Sequence, residues 1–350
     1  MTNPDINSID LLHSQLYKAM QLEHATIPPY TSALYSIHQG DNVDAVQILR
    51  VVAVEEMLHL TIAANVMNAV GGKVDFTKGF VPNYPTVLPD GEHDFEVGLA
   101  PYSKDTVETF LKIERPAMAP QGHARHVAHV EKKGVTNLFV HPRDPSLRYY
   151  SIGEFYAAIR DGMLYLESEA KAKGKTIFTG DHGKQVGSEY YYSGGGRLWP
   201  VVDADSACKA IDLIIEQGEG EIKNIFGAEG EIAHYYRFDQ LKKGRYYQIG
   251  DKPGEPSGAE LHINWEAVWP IAVNLKLNEI PEKSELHAAA ADFNEAYRRF
   301  LALLTHAFNA EPQLLLEAVP RMFEFRNLMQ QLIRNPLPGG DCNAAPTYEI

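Results

Sequence analysis

Cysteine is scarce. With only Cys208 and Cys342 in 350 residues, no disulfide framework can hold this chain together, which points to a reducing, cytoplasmic setting. Long hydrophobic runs are missing too: no stretch of 18 apolar residues occurs, so no membrane span is expected. The start, MTNPDINSID, is polar and acidic and lacks the basic and apolar regions of a secretory leader. Positive charge is thin. The formal net charge is -14, and the densest basic stretch is Lys242, Lys243 and Arg245, which argues against nucleic acid or an anionic membrane as a partner. Neither a Gly-x-Ser-x-Gly elbow nor a cysteine-nucleophile signature is present. What remains, 45% hydrophobic and 22% charged, is the composition of a folded globular chain, and its length allows one large domain or two ordinary ones.

Periodicity divides the chain. Residues 7 to about 39 read as an amphipathic helix with Pro28 and Pro29 inside it, where the missing backbone donors predict a bend or break. Asp41 to Val70 is a second helix, stopped by Gly71 and Gly72. From about 73 to 150 the helical period is lost, and segments such as FVPNYPTVLPDGEHDFEVGLAPYS read as loops with short strands. Ser151 to Lys173 resumes as helix, with Ser151 and Glu154 in capping-box spacing. After an irregular stretch at about 174–203, Asp203 or Asp205 can cap a helix whose stripe is Cys208, Ile211, Ile215, Glu219, Ile222 and Phe226. Beyond a helix around 231–241 and a loop-like 244–282, two further helices are expected at about 284–309 and 311–334.

The informative residues are those that interrupt apolar stripes. Leu49, Val52, Glu56, His59, Ala63, Val66 and Val70 alternate by three and four, so they share one helix face, and only the middle two are polar. Glu23 falls likewise among Leu12, Leu16, Ala19, Ile27 and Tyr30. Burying a charge without a partner costs several kcal/mol, so such groups are paired, protonated or bound to metal. Glu and His three apart lie ~4.5 Å apart along a helix axis on one side, within reach of one ion. That spacing recurs at Glu231 and His234. Glu219 is chosen over Glu216 because its helical neighbours are apolar, although Gly218 and Gly220 flank it; Glu154 is the alternative for that position, and Glu55 is expected either to support the set from behind or to face solvent. Carboxylate and imidazole donors without thiolate suit iron, one or two ions, or manganese.

A Glu from each of two helices plus a Glu-x-x-His from each of two others is the ligand pattern of ferritin-like di-metal bundles. Glu23, Glu56 with His59, Glu219, and Glu231 with His234 supply that set, with Glu56 and Glu231 as the expected bridges. The segments LEHATIPPY (22–30), VVAVEEMLHLTIAANVMNAVGG (51–72), FVPNYPTVLP (80–89), SIGEFYAAI (151–159), IIEQGEGE (214–221) and EIAHYYRF (231–238) closely resemble the ferritin-like domain of the iminophenyl-pyruvate dimer synthase family. The resemblance covers roughly residues 8 to 240, and the C-terminal helices look like the continuation found in stand-alone bacterial members. It implies oxidative chemistry on an imine derived from an aromatic amino acid.

The expectation is therefore a mainly α protein. A ferritin-like four-helix bundle occupies residues 1–242, with irregular insertions at about 73–150 and 174–203, and residues 243–350 form a C-terminal helical extension packed on it. The expected activity is an iron-dependent oxidoreductase using dioxygen or peroxide on a small organic substrate, with Tyr30 lining the pocket; a homo-oligomer is compatible with it. The rivals are a non-catalytic iron-binding or storage protein and a metal-free helical scaffold.

Overall fold

The computed structural model describes residues 4–90, 93–116, 125–126, 147–149, 151–191, 196–218, 225–227 and 230–350. Four helices make the bundle: α1 (Ile9–Ser36), α2 (Val43–Ala69), α4 (Ile152–Lys171) and α5 (Ala204–Gly218). α1 lies against α2 and α4, and α5 closes the ring by packing on α4 and α2. Their starts follow the local chemistry. Ser8 caps α1 by accepting from the Leu11 amide at 3.3 Å, and Ser151 caps α4 by accepting from the Glu154 amide at 3.2 Å, each satisfying a donor that has no intrahelical partner. Gly71, with φ of +77°, takes the left-handed conformation that ends α2.

α1 is continuous across Pro28 and Pro29, so of the expected bend or break the break does not occur. Pro29 has no amide to offer the Ala25 carbonyl four residues back. The buried Tyr84 hydroxyl supplies the replacement at 2.8 Å.

The stretch expected to hold only loops and short strands also contains a helix, α3 (Lys104–Ile113), beside a hairpin of β1 (Thr86–Asp90) and β2 (His93–Val97). A two-residue pairing of β3 (Arg125–His126) with β4 (Leu147–Arg148) follows. Val107, Phe110 and Leu111 are the buried face of α3, and Glu114 caps its C-terminal end on the same side. α5 differs from expectation in both face and length. Ala207, Ala210, Ile211, Ile214 and Gln217 are buried, whereas Cys208 and Ile215 are only partly so. Phe226 is not on this helix but bridges to Ile232.

α6 (His234–Lys243) begins at His234, so Glu231 precedes the helix and the two do not share a helical face. It packs on α3 and reaches α2 and α5. α7 (Glu285–Asn309) and α8 (Leu315–Ile333) pair with each other and lie on α2 and α1 respectively. The tail returns to seal this junction: Ala344, Ala345, Thr347 and Tyr348 are buried. Among the described residues no helix is long and apolar enough to cross a membrane.

Candidate metal centre

Four elements, α1, α2, α3 and α6, deliver acids or imidazoles to one point, and Glu23, Glu56, His59 and Glu114 each sit in an otherwise apolar stripe. α1 brings Glu23, α2 brings Glu55, Glu56 and His59, the end of α3 brings Glu114 and the start of α6 brings His234. All are buried, none above 3% exposure. Glu23, Glu56 and His59 offer ligand atoms that lie within 4.8 Å of one another, and so do Glu56, Glu114 and His234. Glu56 belongs to both groups.

The carboxylates share one design. Glu23 accepts from the Tyr156 hydroxyl through Oε1 at 2.6 Å and turns Oε2 to His59 Nδ1 at 3.3 Å. Glu56 accepts from the Thr26 hydroxyl through Oε2 at 3.0 Å and turns Oε1 to His234 Nδ1 at 2.9 Å. Glu114 accepts from the Tyr30 hydroxyl through Oε1 and turns Oε2 toward His234 Nδ1 at 3.6 Å. One oxygen is thus anchored and the other is aimed inward. Burial, reinforced by the neighbouring carboxylates, keeps the Tyr30 and Tyr156 hydroxyls protonated far above the usual phenol range, so they remain donors.

Electrostatically the cluster is short of positive charge. Four carboxylates (Glu23, Glu55, Glu56, Glu114) meet two imidazoles and the Arg237 guanidinium, which lies 3.6 Å from Glu55. Burial, then the Glu114 and Glu23 charges, pushes the Glu56 carboxyl up to about 8 despite the His234 contact. Burial alone would lower both imidazoles, but the acids win. The Glu23 hydrogen bond and charge raise His59, and Glu114, Glu55 and Glu56 raise His234 well above the usual range. A cation placed among these groups would compensate the excess of negative charge.

His234 tests whether a metal fits. Its Nε2 meets Glu55 Oε2 at 2.9 Å. Its Nδ1 is buried, surrounded by carboxylate oxygens, and makes no hydrogen bond of acceptable angle. A ring whose outer nitrogen is engaged and whose inner nitrogen is an orphan among carboxylates has the arrangement of a metal-binding histidine. The oxygen and nitrogen donor set suits iron or manganese.

Of the six residues singled out from the sequence, Glu23, Glu56, His59 and His234 come together here. Glu231 is partly buried outside both groups, where its Oε2 accepts from Gln217 Nε2 at 3.3 Å. Glu219 lies outside the described residues. Of its alternatives, Glu216 is exposed and Glu154 is buried near the start of α4 outside both groups. Glu114 was missed, although Val107, Phe110, Leu111 and Glu114 form the same three-four stripe that marks Glu56. Gln217 was missed as well; its Oε1 faces His59 Nε2 at 3.1 Å, and a neutral amide gives no charge signal in a sequence. Tyr30 packs on Phe110 and Phe238 and braces a carboxylate.

A family model described as Ferritin-like matches residues 16–243. The chain is 25% identical over 327 residues to dichlorochromopyrrolate synthase from Lentzea aerocolonigenes, an alignment covering 85% of this chain and 29% of that protein. It thus spans less than a third of that relative's length. The crystal structure at 1.95 Å of a ferritin-like protein from Caulobacter vibrioides superposes with a TM-score of 0.61 at 21% identity, covering 97% of both chains. At that identity the likeness speaks for the fold alone.

Proposed function

Because this chain belongs to the ferritin-like family, we propose that its buried acids and imidazoles hold two iron ions in an oxidoreductase acting on a small organic substrate. Glu23, Glu56 and His59 would hold one ion, and Glu56, Glu114 and His234 the other. The supporting observation is that two buried ligand groups share one carboxylate. Residues 1–242 form the metal-binding unit, and 243–350 an extension packed on it.

The metal would supply an open position for dioxygen or peroxide. The chain's own residues do the rest. Tyr156, Thr26 and Tyr30 fix the carboxylate rotamers, so the site is preorganised. The apolar bundle around it excludes bulk water, which strengthens every charge interaction inside. The distant similarity to dichlorochromopyrrolate synthase, with the motifs shared with iminophenyl-pyruvate dimer synthases, supports an imine derived from an amino acid as the substrate class.

The test is elemental analysis of protein from its native host, with anomalous scattering at the iron edge. About two iron per chain, lost in Glu56→Ala without loss of fold, is the expected result. A folded protein free of transition metal under both measurements overturns the reading. Uptake of many iron equivalents per chain would mark a storage protein instead.

A further inference from the structure

The two halves of the cluster are alike on their carboxylate sides and different behind their histidines. Glu23 and Glu114 each receive a tyrosine hydroxyl. His59 and His234 stack at 5.4 Å and 24°, and both turn Nδ1 inward. Outward, they part. His59 Nε2 meets the neutral amide oxygen of Gln217, whose own Nε2 is directed to Glu231. His234 Nε2 meets the Glu55 carboxylate, with Arg237 at that carboxylate's other oxygen.

We propose that the two metal positions are unequal in affinity, and that Glu55, held by Arg237, makes the His234 and Glu114 position the tighter one. This rests on the two-ion reading above. A carboxylate that accepts the outer N–H of an imidazole fixes the tautomer with its lone pair inward and makes that nitrogen a stronger donor. Glu55 can only accept when ionised, so it allows one tautomer. An amide accepts more weakly and can also donate if it turns. Burial of both sides prevents water from levelling the difference, and a charge behind the ring acts on a cation with little screening. The first ion therefore settles at Glu56, Glu114 and His234, and the second completes the pair at Glu23 and His59. Glu55 acts through His234 and is a positioning residue.

The test titrates metal-free full-length protein with manganese(II) alone, following free ion by electron paramagnetic resonance and heat by calorimetry. Wild type should bind in two resolved steps, and a half-loaded crystal should place the ion beside His234. Glu55→Gln, nearly isosteric, should weaken the tighter step by about 10- to 100-fold and leave the weaker step close to its original value. Gln217→Glu should tighten the second step and narrow the gap; it also decides the matter if Glu55→Gln fails to fold. The inference is overturned if Glu55→Gln weakens both steps equally, weakens only the weaker step, or changes neither. Two equal steps in wild type, or a half-loaded ion beside His59, overturn it and leave the two-ion reading standing. No manganese bound at all overturns it, and the two-ion reading falls with it only if native-host protein also lacks transition metal.

Discussion

Glu114 and Glu231 separate two ways of building the cluster. Glu114 turns one oxygen inward from the end of α3, whereas Glu231, among the described residues, accepts from the Gln217 amide outside both ligand groups. Glu114→Gln should therefore lower the affinity for one of two ions by well over about 10-fold, and Glu231→Gln should retain both, as read by metal content after dialysis. A second residue-scale prediction concerns His24. It is buried against Phe80 with Nε2 at 2.7 Å from the Tyr297 hydroxyl, and burial lowers its pKa to about 3. Between the ordinary histidine pKa near 6.5 and about 3, the unfolded chain takes a proton that the folded chain refuses. Stability is thus intact above pH 6.5 and falls as pH drops through this window. Thermal melts of metal-free protein at stepped pH should show that slope, and His24→Gln should flatten it. At this scale, legibility in the sequence followed charge on an apolar stripe. Glu23, Glu56 and His59 stood out that way, while Gln217 carried no charge and Glu114 lay in a stretch whose prolines and glycines masked a ten-residue helix.

At the scale of elements, α1 shows why a proline pair need not break a helix. Tyr84 replaces the amide that Pro29 withholds from Ala25. Tyr84→Phe should leave that buried carbonyl unpaired and cost about 1–3 kcal/mol, measured by denaturant unfolding. The long helices were readable because their period is sustained over many turns and their ends carry serine caps or glycine. α5 was harder. Its apolar residues are dense enough to support two stripes one residue apart, and only packing against α4 and α2 chose the one that faces Gln217 inward. Glu231 and His234 show the opposite error: a helical spacing in sequence straddles a helix start, where the periodicity argument has no force.

At the scale of the whole molecule, the tail is part of the core. Tyr348 packs on Phe293 and Tyr297 at 4.9 and 5.1 Å between ring centres, and its hydroxyl lies 3.1 Å from that of Thr31 on α1. Thr347 and Asn294 exchange hydrogen bonds below it. Tyr348→Ala should therefore cost about 3–5 kcal/mol, seen as a lower unfolding midpoint with an unchanged slope. The helical fold class was open to the sequence; this closure was not, since the seventeen residues after α8, rich in proline, glycine and polar side chains, carry no period. The order of Glu23, Glu56, Glu114 and His234 along the chain has a consequence for biosynthesis. A nascent polypeptide threaded through the ribosome carries Glu23, Glu56 and His59 from residue 59 onward, but the group of Glu56, Glu114 and His234 can assemble only once residue 234 has emerged.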